Sequence, residues 1–268
     1  MPQLKRDDGV EIHWEERGEG PVVFFAHASW GSMPSTYSDL LTDLAADHRV
    51  VTRDPRGTGQ STRRGPYDIG TDADDMAALV DEVGGPGVVV SAGANASCVR
   101  VAAERPQLIE AVVLASSVVE LQFHQREMDS IAASESVVEA ALKQLRVDPR
   151  PVLRTMISIT NPQLSDAEAG ERVAAQVAYC PLDAAQGRAE AVVLSDDLTR
   201  IGPALGGRLW IVYFENPLSP RELLKRAREL LPEAHIVEAE DGPISRPDIT
   251  AEVVRKITAP LRVSAGDR

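Results

Sequence analysis

The sequence predicts an α/β protein with a mostly parallel, twisted sheet, flanked by helices and carrying an inserted helical cap. Short apolar runs rich in β-branched residues, such as 21–26 and 87–91, are typical of strands buried on both faces. They alternate with segments of helical spacing such as 71–83. Alternation of this kind builds a parallel sheet through right-handed crossovers. It stops between residues 118 and 199, where the pattern is helical only.

The chain therefore divides into a first part of the core at 1–117, a helical cap at 118–199 and a second part of the core at 200–268. The core begins with a predicted hairpin at 3–17, whose turn is signalled by Asp7-Asp8-Gly9. Strands are expected at 21–26, 49–53, 87–91, 109–115, 208–214 and 234–239. Helices are expected at 37–46, 71–83, 94–105, 220–231 and 247–257, and in the cap at 135–145, 152–159 and 166–179.

Composition limits the classes of partner. The net charge of −13 disfavours nucleic acid and anionic membrane surfaces, because both repel an acidic protein. No apolar run approaches the roughly 20 residues of a membrane span, and no signal-peptide pattern opens the chain, so a cytoplasmic location is expected. Two cysteines are too few for a disulfide framework or a zinc site. With no phosphate loop or dinucleotide fingerprint either, we expect no cofactor and no metal.

The most informative stretch joins the strand 87–91 to the helix predicted at 94–105. A strand, a sharp turn of small residues and a helix make the shape of a nucleophile elbow, whose pattern is G-x-S-x-G. In this chain the five positions of the pattern are occupied by Ser91-Ala92-Gly93-Ala94-Asn95. The position of the nucleophile therefore holds Gly93, which has no side chain to attack a substrate. Cys98, on the helix that follows, is expected to be a small buried residue.

Four landmarks in order resemble the α/β-hydrolase fold family. They are the strand 21–26 followed by His27-Ala28-Ser29-Trp30-Gly31-Ser32, the loop Asp54-Pro55-Arg56-Gly57-Thr58-Gly59-Gln60-Ser61, the elbow and the late strands. The loop fits the family's D-x-R-G-x-G-x-S pattern at every defined position, and we expect Asp54 and Arg56 to tie that loop together. The resemblance covers the whole chain outside the cap.

The resemblance implies a Ser-His-Asp triad, and each of its three positions is altered here. The nucleophile falls on Gly93. The acid position, after the penultimate strand, falls on Glu215 or Asn216. The position of the histidine falls on Glu240 or Asp241, and no histidine follows His235. Hydrolysis through an acyl-enzyme needs all three groups and is therefore disfavoured.

The oxyanion hole of the family uses backbone N–H groups, which do not depend on side-chain identity. Here these are the N–H groups of Ser29 (or Ala28) and Ala94. Such donors can stabilise an enolate formed next to a carbonyl. The candidate bases are Asp241 and Glu215, with Glu240 beside them. The expected substrate-binding residues are Ala28, Ser29, Trp30, Gly93, Ala94, Asn95, Val118, Phe123 and Asn216.

These observations leave three functions open. The first is a non-hydrolytic enzyme (epimerase, isomerase, cyclase or lyase) that abstracts a proton next to a carbonyl of a small or peptidic substrate. The substrate's own carboxylate can replace the protein base. In keeping the fold but lacking the triad, the chain is similar to the peptide aspartate epimerases of bottromycin biosynthesis. The second is a protein that only binds a small molecule or peptide. The third is an unconventional hydrolase. The oligomeric state is left open.

Overall fold

A computed structural model of the chain describes its fold. The described residues are 2–26, 34–92, 96–115, 143–144, 146–160, 163–194, 200–215 and 221–265. The strands are β1 (Gln3–Lys5), β2 (Glu11–Arg17), β3 (Val22–Ala26), β4 (Arg49–Arg53), β5 (Gly87–Ser91), β6 (Ile109–Leu114), β7 (Leu209–Phe214) and β8 (His235–Ala239). The helices are α1 (Ser38–Ala45), α2 (Ile69–Val83), α3 (Ala96–Glu104), α4 (Arg150–Thr160), α5 (Asp166–Tyr179), α6 (Leu182–Leu194), α7 (Arg221–Leu230) and α8 (Pro247–Ala265). Short 3-10 turns occupy Pro34–Tyr37 and Gly202–Arg208.

The eight strands form one sheet in the order β1-β2-β4-β3-β5-β6-β7-β8. The first two strands pair as a hairpin, and β2 runs antiparallel to β4. Every pair from β4 to β8 is parallel. The predicted fold class is therefore confirmed, and the carboxyl ends of β3 to β8 share one edge of the sheet.

Alternate residues of the central strands feed two separate cores. On one face, Val51 and Val89 pack with residues of α2 and α3, including Met76 and Val99. On the other face, Val50 and Val88 pack with α1 and α8. This is why β5 is buried along its whole length and reads as an unbroken apolar run.

Between β6 and β7, the described residues form helices and no strand. Helix α5 has the bounds predicted for it, and a capping box at its start explains the precision: the Ser165 hydroxyl accepts from the Glu168 N–H, and the Glu168 carboxylate accepts from the Ser165 N–H. Helix α6 is absent from the sequence-based prediction. The helix predicted at 135–145 lies largely outside the described residues, so the division into core and cap stays a prediction.

Candidate active site

The elbow is framed by the last residue of β5 and the first residue of α3. Ser91 ends the strand and Ala96 begins the helix, so four residues make the turn. Ser91 pairs with Ala26, the last residue of β3, and the Ala92 N–H donates to the Ala26 carbonyl over 3.1 Å. The turn therefore rises from the carboxyl edge directly beside the end of β3. That Gly93 takes the position of the nucleophile in this turn stays a prediction.

The residues predicted to line the substrate site cannot be placed. Gly93, Ala94 and Asn95 lie outside the described residues, as do Ala28, Ser29, Trp30, Val118, Phe123 and Asn216. Their role stays a prediction, and the geometry of the site comes from the elements around them.

The two serines that flank the turn are structural. Ser91 is fully buried, and its carbonyl accepts from the Ala115 N–H over 2.7 Å. Ser97 is also fully buried, and its hydroxyl donates to Asp72 Oδ2 over 2.6 Å. A nucleophile has to meet the substrate, so neither hydroxyl can replace one at position 93.

The cysteines are equally unsuited to attack. Cys98 lies in the first turn of α3 and is fully buried, which confirms its predicted role as a small core residue. Burial raises the pKa of its thiol to about 12, and burial raises the pKa of Cys180 to about 11. Because the reactive form is the thiolate, both thiols are inert near neutral pH.

The described histidines serve the scaffold. His48 precedes β4, at the amino edge of the sheet, and its ring nitrogens lie 2.7 Å from Asp47 Oδ1 and 2.8 Å from Thr258 Oγ1. His235 begins β8 at the same edge and stacks on Trp210, with 4.1 Å between ring centroids. His13 is buried on the outer strand β2. His27 and His124 lie outside the described residues.

Glu215 and Glu240 are surface carboxylates. Glu215 directly follows β7; its side chain is 57% exposed and lies 3.5 Å from Arg221 Nε. Glu240 directly follows β8; its side chain is 91% exposed and lies 3.4 Å from Arg246 Nη1. Both occupy the carboxyl edge, as predicted, but solvent and an arginine already stabilise each charge.

Asp241 differs from these two glutamates. It is partly buried, and its Oδ1 accepts from the Gly242 N–H over 2.7 Å. A Cβ on Gly242 would lie only 2.9 Å from the ring of Phe214, the last residue of β7. The loop after β8 therefore packs on the end of the neighbouring strand β7. Asp241 is less exposed than Glu215 and Glu240, and its role as a base stays a prediction.

Residues 23–253 match the Alpha/beta hydrolase family, which is most of the chain. The chain belongs to this family. Its sheet is also similar to that of an esterase from Exiguobacterium antarcticum, with a TM-score of 0.79, 17% identity and coverage of 96% of this chain and 98% of the other. An enol-lactonase from Burkholderia xenovorans gives a TM-score of 0.71 at 18% identity, covering 96% of this chain and all of the other.

Relatives within the alpha/beta hydrolase family match part of the sequence. A bifunctional esterase/perhydrolase from Acinetobacter calcoaceticus is 36% identical over 92 residues, which is 33% of each chain. A non-heme haloperoxidase from Rhodococcus erythropolis is 34% identical over 85 residues, which is 31% of each chain. The matched stretch thus spans about a third of the length of these relatives. It makes this chain similar to them and leaves its own activity to be proposed.

The family's D-x-R-G-x-G-x-S loop does more than the sequence suggests. As predicted, Asp54 ties its own loop, because its Oδ2 accepts from the Gln60 N–H over 2.9 Å. Its Oδ1 also accepts from the Tyr179 hydroxyl over 2.5 Å, which binds the end of α5 to the core. Arg56 was expected to tie the same loop and instead pairs with Asp75 of α2 and with Asp8 of the hairpin. The prediction for Arg56 is therefore wrong, because its partners are distant in sequence.

A buried ionic cluster beneath the elbow was not predicted from the sequence. Asp72 of α2 lies between Arg53 at the end of β4, Arg188 of α6 and Ser97 of α3. One signal existed: Asp72 stands four residues before Met76, on the apolar face of its helix. A carboxylate on that face requires buried partners.

Neither a metal-binding cluster nor a membrane-spanning helix is found among the described residues. Among them, no group of three or more histidines, cysteines or carboxylates could hold a metal ion. Of the described helices, none is long and apolar enough to cross a membrane.

Proposed function

We propose that this member of the alpha/beta hydrolase family does not use acyl-enzyme hydrolysis. It acts on a small or peptidic substrate by abstracting a proton next to a carbonyl, as an epimerase, isomerase, cyclase or lyase does. The proposal depends on one observation. Strand β5 ends at Ser91 beside β3, helix α3 begins at Ala96, and the sequence between them has Gly93 at the position that the nucleophile would occupy.

The neighbours of Gly93 support this reading. Ser91, Ser97 and Cys98 are the side chains closest in sequence that could replace a nucleophile, and all three are fully buried. Backbone donors remain available in principle, because the N–H groups of Ser29 and Ala94 exist whatever side chains they carry. Such donors stabilise an oxyanion that develops on a carbonyl when its α-proton leaves.

The proposed base is Asp241. Its loop packs on Phe214 at the carboxyl edge of the sheet, and Asp241 is less exposed than Glu215 and Glu240. A general base contributes about 10²- to 10⁴-fold to such a step. In the substrate-assisted version, a carboxylate of the substrate takes the proton and Asp241 is dispensable. The likeness to the bottromycin-pathway aspartate epimerases rests on the altered triad alone.

A second candidate function is hydrolysis by an unconventional route, in which a carboxylate activates water. The relatives favour it, since they include an esterase/perhydrolase and an enol-lactonase. A third, binding without turnover, is the outcome if neither chemistry is found.

Deuterium incorporation separates these functions. The protein is incubated in deuterated water with a library of short peptides, including peptides with aspartate at internal and terminal positions, and mass spectrometry follows deuterium at each Cα. The wild type should incorporate deuterium without cleaving activated esters such as p-nitrophenyl acetate. Asp241→Asn should slow the exchange at least about a hundredfold, whereas Glu240→Gln serves as the matched control and should leave it unchanged.

The opposite results are equally clear. Ester cleavage that Asp241→Asn abolishes would favour the unconventional hydrolase. Exchange that survives Asp241→Asn would favour the substrate-assisted version. Binding of a peptide with neither reaction would leave the protein as a binder.

A further inference from the structure

The carboxylate of Asp72 receives contacts from three other elements of the fold. Arg53 Nη2, at the end of β4, lies 2.9 Å from Asp72 Oδ1. Arg188 Nη2, from helix α6, lies 3.5 Å from the same oxygen. Ser97 Oγ, in the first turn of α3, donates to the other oxygen over 2.6 Å. One side chain thus joins the predicted cap to the helix that begins at the elbow.

All four groups are buried. Asp72 is 8% exposed, Arg188 4%, Arg53 2% and Ser97 is inaccessible. Burial alone would raise the pKa of Asp72, but the charges of Arg53 and Arg188 and the Ser97 hydroxyl outweigh it and hold this pKa well below its usual range. The carboxylate is therefore charged, and these contacts are screened little by water.

Helix α6 also packs closely on the loop after β4. A Cβ on Gly57, which has a φ of +78°, would lie 2.6 Å from the Cβ of Ala184. A Cβ on Gly187 would lie 2.9 Å from the ring of Tyr67. Small residues on both sides allow this approach, so α6 has little room to shift without moving the groups beneath it.

We propose that Arg188 is a positioning residue that couples helix α6 to the elbow: through Asp72 and Ser97, the position of α6 sets the orientation of the first turn of α3. That a ligand above the elbow profits from this coupling rests on the proposed function. The coupling itself does not, because it is a property of the ligand-free protein.

Arg188 can be replaced while Asp72 keeps a second buried partner, Arg53. Arg53 stays paired with Asp72 when Arg188 is lost, and no uncompensated carboxylate remains. Two further nitrogens of Arg53, Nε and Nη1, donate to no acceptor among the described residues, so Arg53 keeps spare donors on its side of the cluster. Arg188 is thus a suitable position to test.

The test is hydrogen–deuterium exchange of the ligand-free protein, read by mass spectrometry. In Arg188→Met, amides of α3 and α6 should exchange about tenfold faster, while amides of α8, on the opposite face of the sheet, keep their rate. Arg154→Met is the matched control, because Arg154 forms an exposed ion pair with Asp166 elsewhere in the cap. It should leave α3 unchanged.

A second variant checks the path of the coupling. Ser97→Ala removes the last contact, so it should speed exchange in α3 but not in α6. In the double variant with Arg188→Met, α3 should exchange no faster than in the more affected single variant, because both changes break one chain of contacts.

Three results would overturn the proposal: unchanged exchange in α3 of Arg188→Met, equal acceleration in α3 and α8, or additive effects in the double variant. Should Arg188→Met not fold, Arg188→Lys keeps the charge and takes its place, with the same pattern expected at smaller amplitude. These readouts need no substrate, so the coupling and the proposed chemistry can fail independently.

Discussion

Two groups of acidic side chains differ in what surrounds them. On helix α2, Asp72 and Asp75 are buried, and each is paired with two arginines: Arg53 and Arg188 for the first, Arg6 and Arg56 for the second. At the carboxyl edge of the sheet, the charges of Glu215 and Glu240 are largely solvated. The same chemical group therefore serves structure in one region and is left accessible in the other.

This difference indicates which carboxylates can accept a proton from a substrate. The charges of Arg53 and Arg188 hold the pKa of Asp72 well below its usual range, so this carboxylate stays ionised and cannot accept a proton near neutral pH. Open α/β sheets bind their ligands at the carboxyl edge, and the loop carboxylates lie at that edge. Asp241 stands between the extremes, since it is partly buried and its carboxylate accepts a hydrogen bond from the Gly242 N–H. We therefore assign the buried pair to the scaffold and expect proton transfer at the edge.

Neutralising Asp72 should have the largest effect on stability. Asp72→Asn removes the carboxylate that pairs with the buried Arg53 and Arg188. Breaking a buried ion pair in this way costs about 3–5 kcal/mol of the free energy of unfolding. The measurement is urea denaturation at neutral pH. Asp74→Ala is the control on the same helix: its carboxylate is 56% exposed, so the loss should stay below about 1 kcal/mol. Equal losses in the two variants would contradict the contrast between the two groups of acids.

Acid should reveal the same carboxylate by a different route. The pKa of Asp72 is lower in the folded state than the value of about 3.9 expected in the unfolded chain. Its contribution to stability is thus present above about pH 4 and is lost as the pH falls further. The free energy of unfolding, measured between pH 5 and pH 2, should decline more steeply for the wild type than for Asp72→Asn. Parallel curves would mean that Asp72 is not held ionised by its partners.

The sequence predicted the frame of the molecule well because the frame depends on local patterns. Strand β5 is buried on both faces and reads as an apolar run, and the box formed by Ser165 and Glu168 marks the start of α5. The edge positions of Glu215 and Glu240 follow from their place directly after strands, and Asp241 comes next in the same loop. Each of these features depends on residues that are close together in the sequence.

What the sequence did not predict depends on distant residues. The partners of Arg56 are Asp8 and Asp75, 48 and 19 positions away. Helix α6 has Gly187 at its centre and no clear apolar face, so its helical state is favoured by packing on Tyr67 and Gly57. The role of Asp72 could have been suspected from its apolar face, but its pairing with Arg188, 116 positions away, has no local signature.

Removing the charge of Glu215 should have the smallest effect. Its carboxylate is 57% exposed, and its partner Arg221 also lies 3.2 Å from Glu238, so the arginine keeps an ion pair when Glu215 is lost. Glu215→Gln should therefore change the free energy of unfolding by less than about 0.5 kcal/mol, measured by urea denaturation beside Glu240→Gln as a second exposed glutamate. A loss of several kcal/mol in Glu215→Gln alone would show that this carboxylate belongs with the buried, structural group. A small loss combined with slower deuterium exchange into the substrate would instead move the role of base from Asp241 to Glu215, because removing a carboxylate slows this exchange when that carboxylate takes the proton.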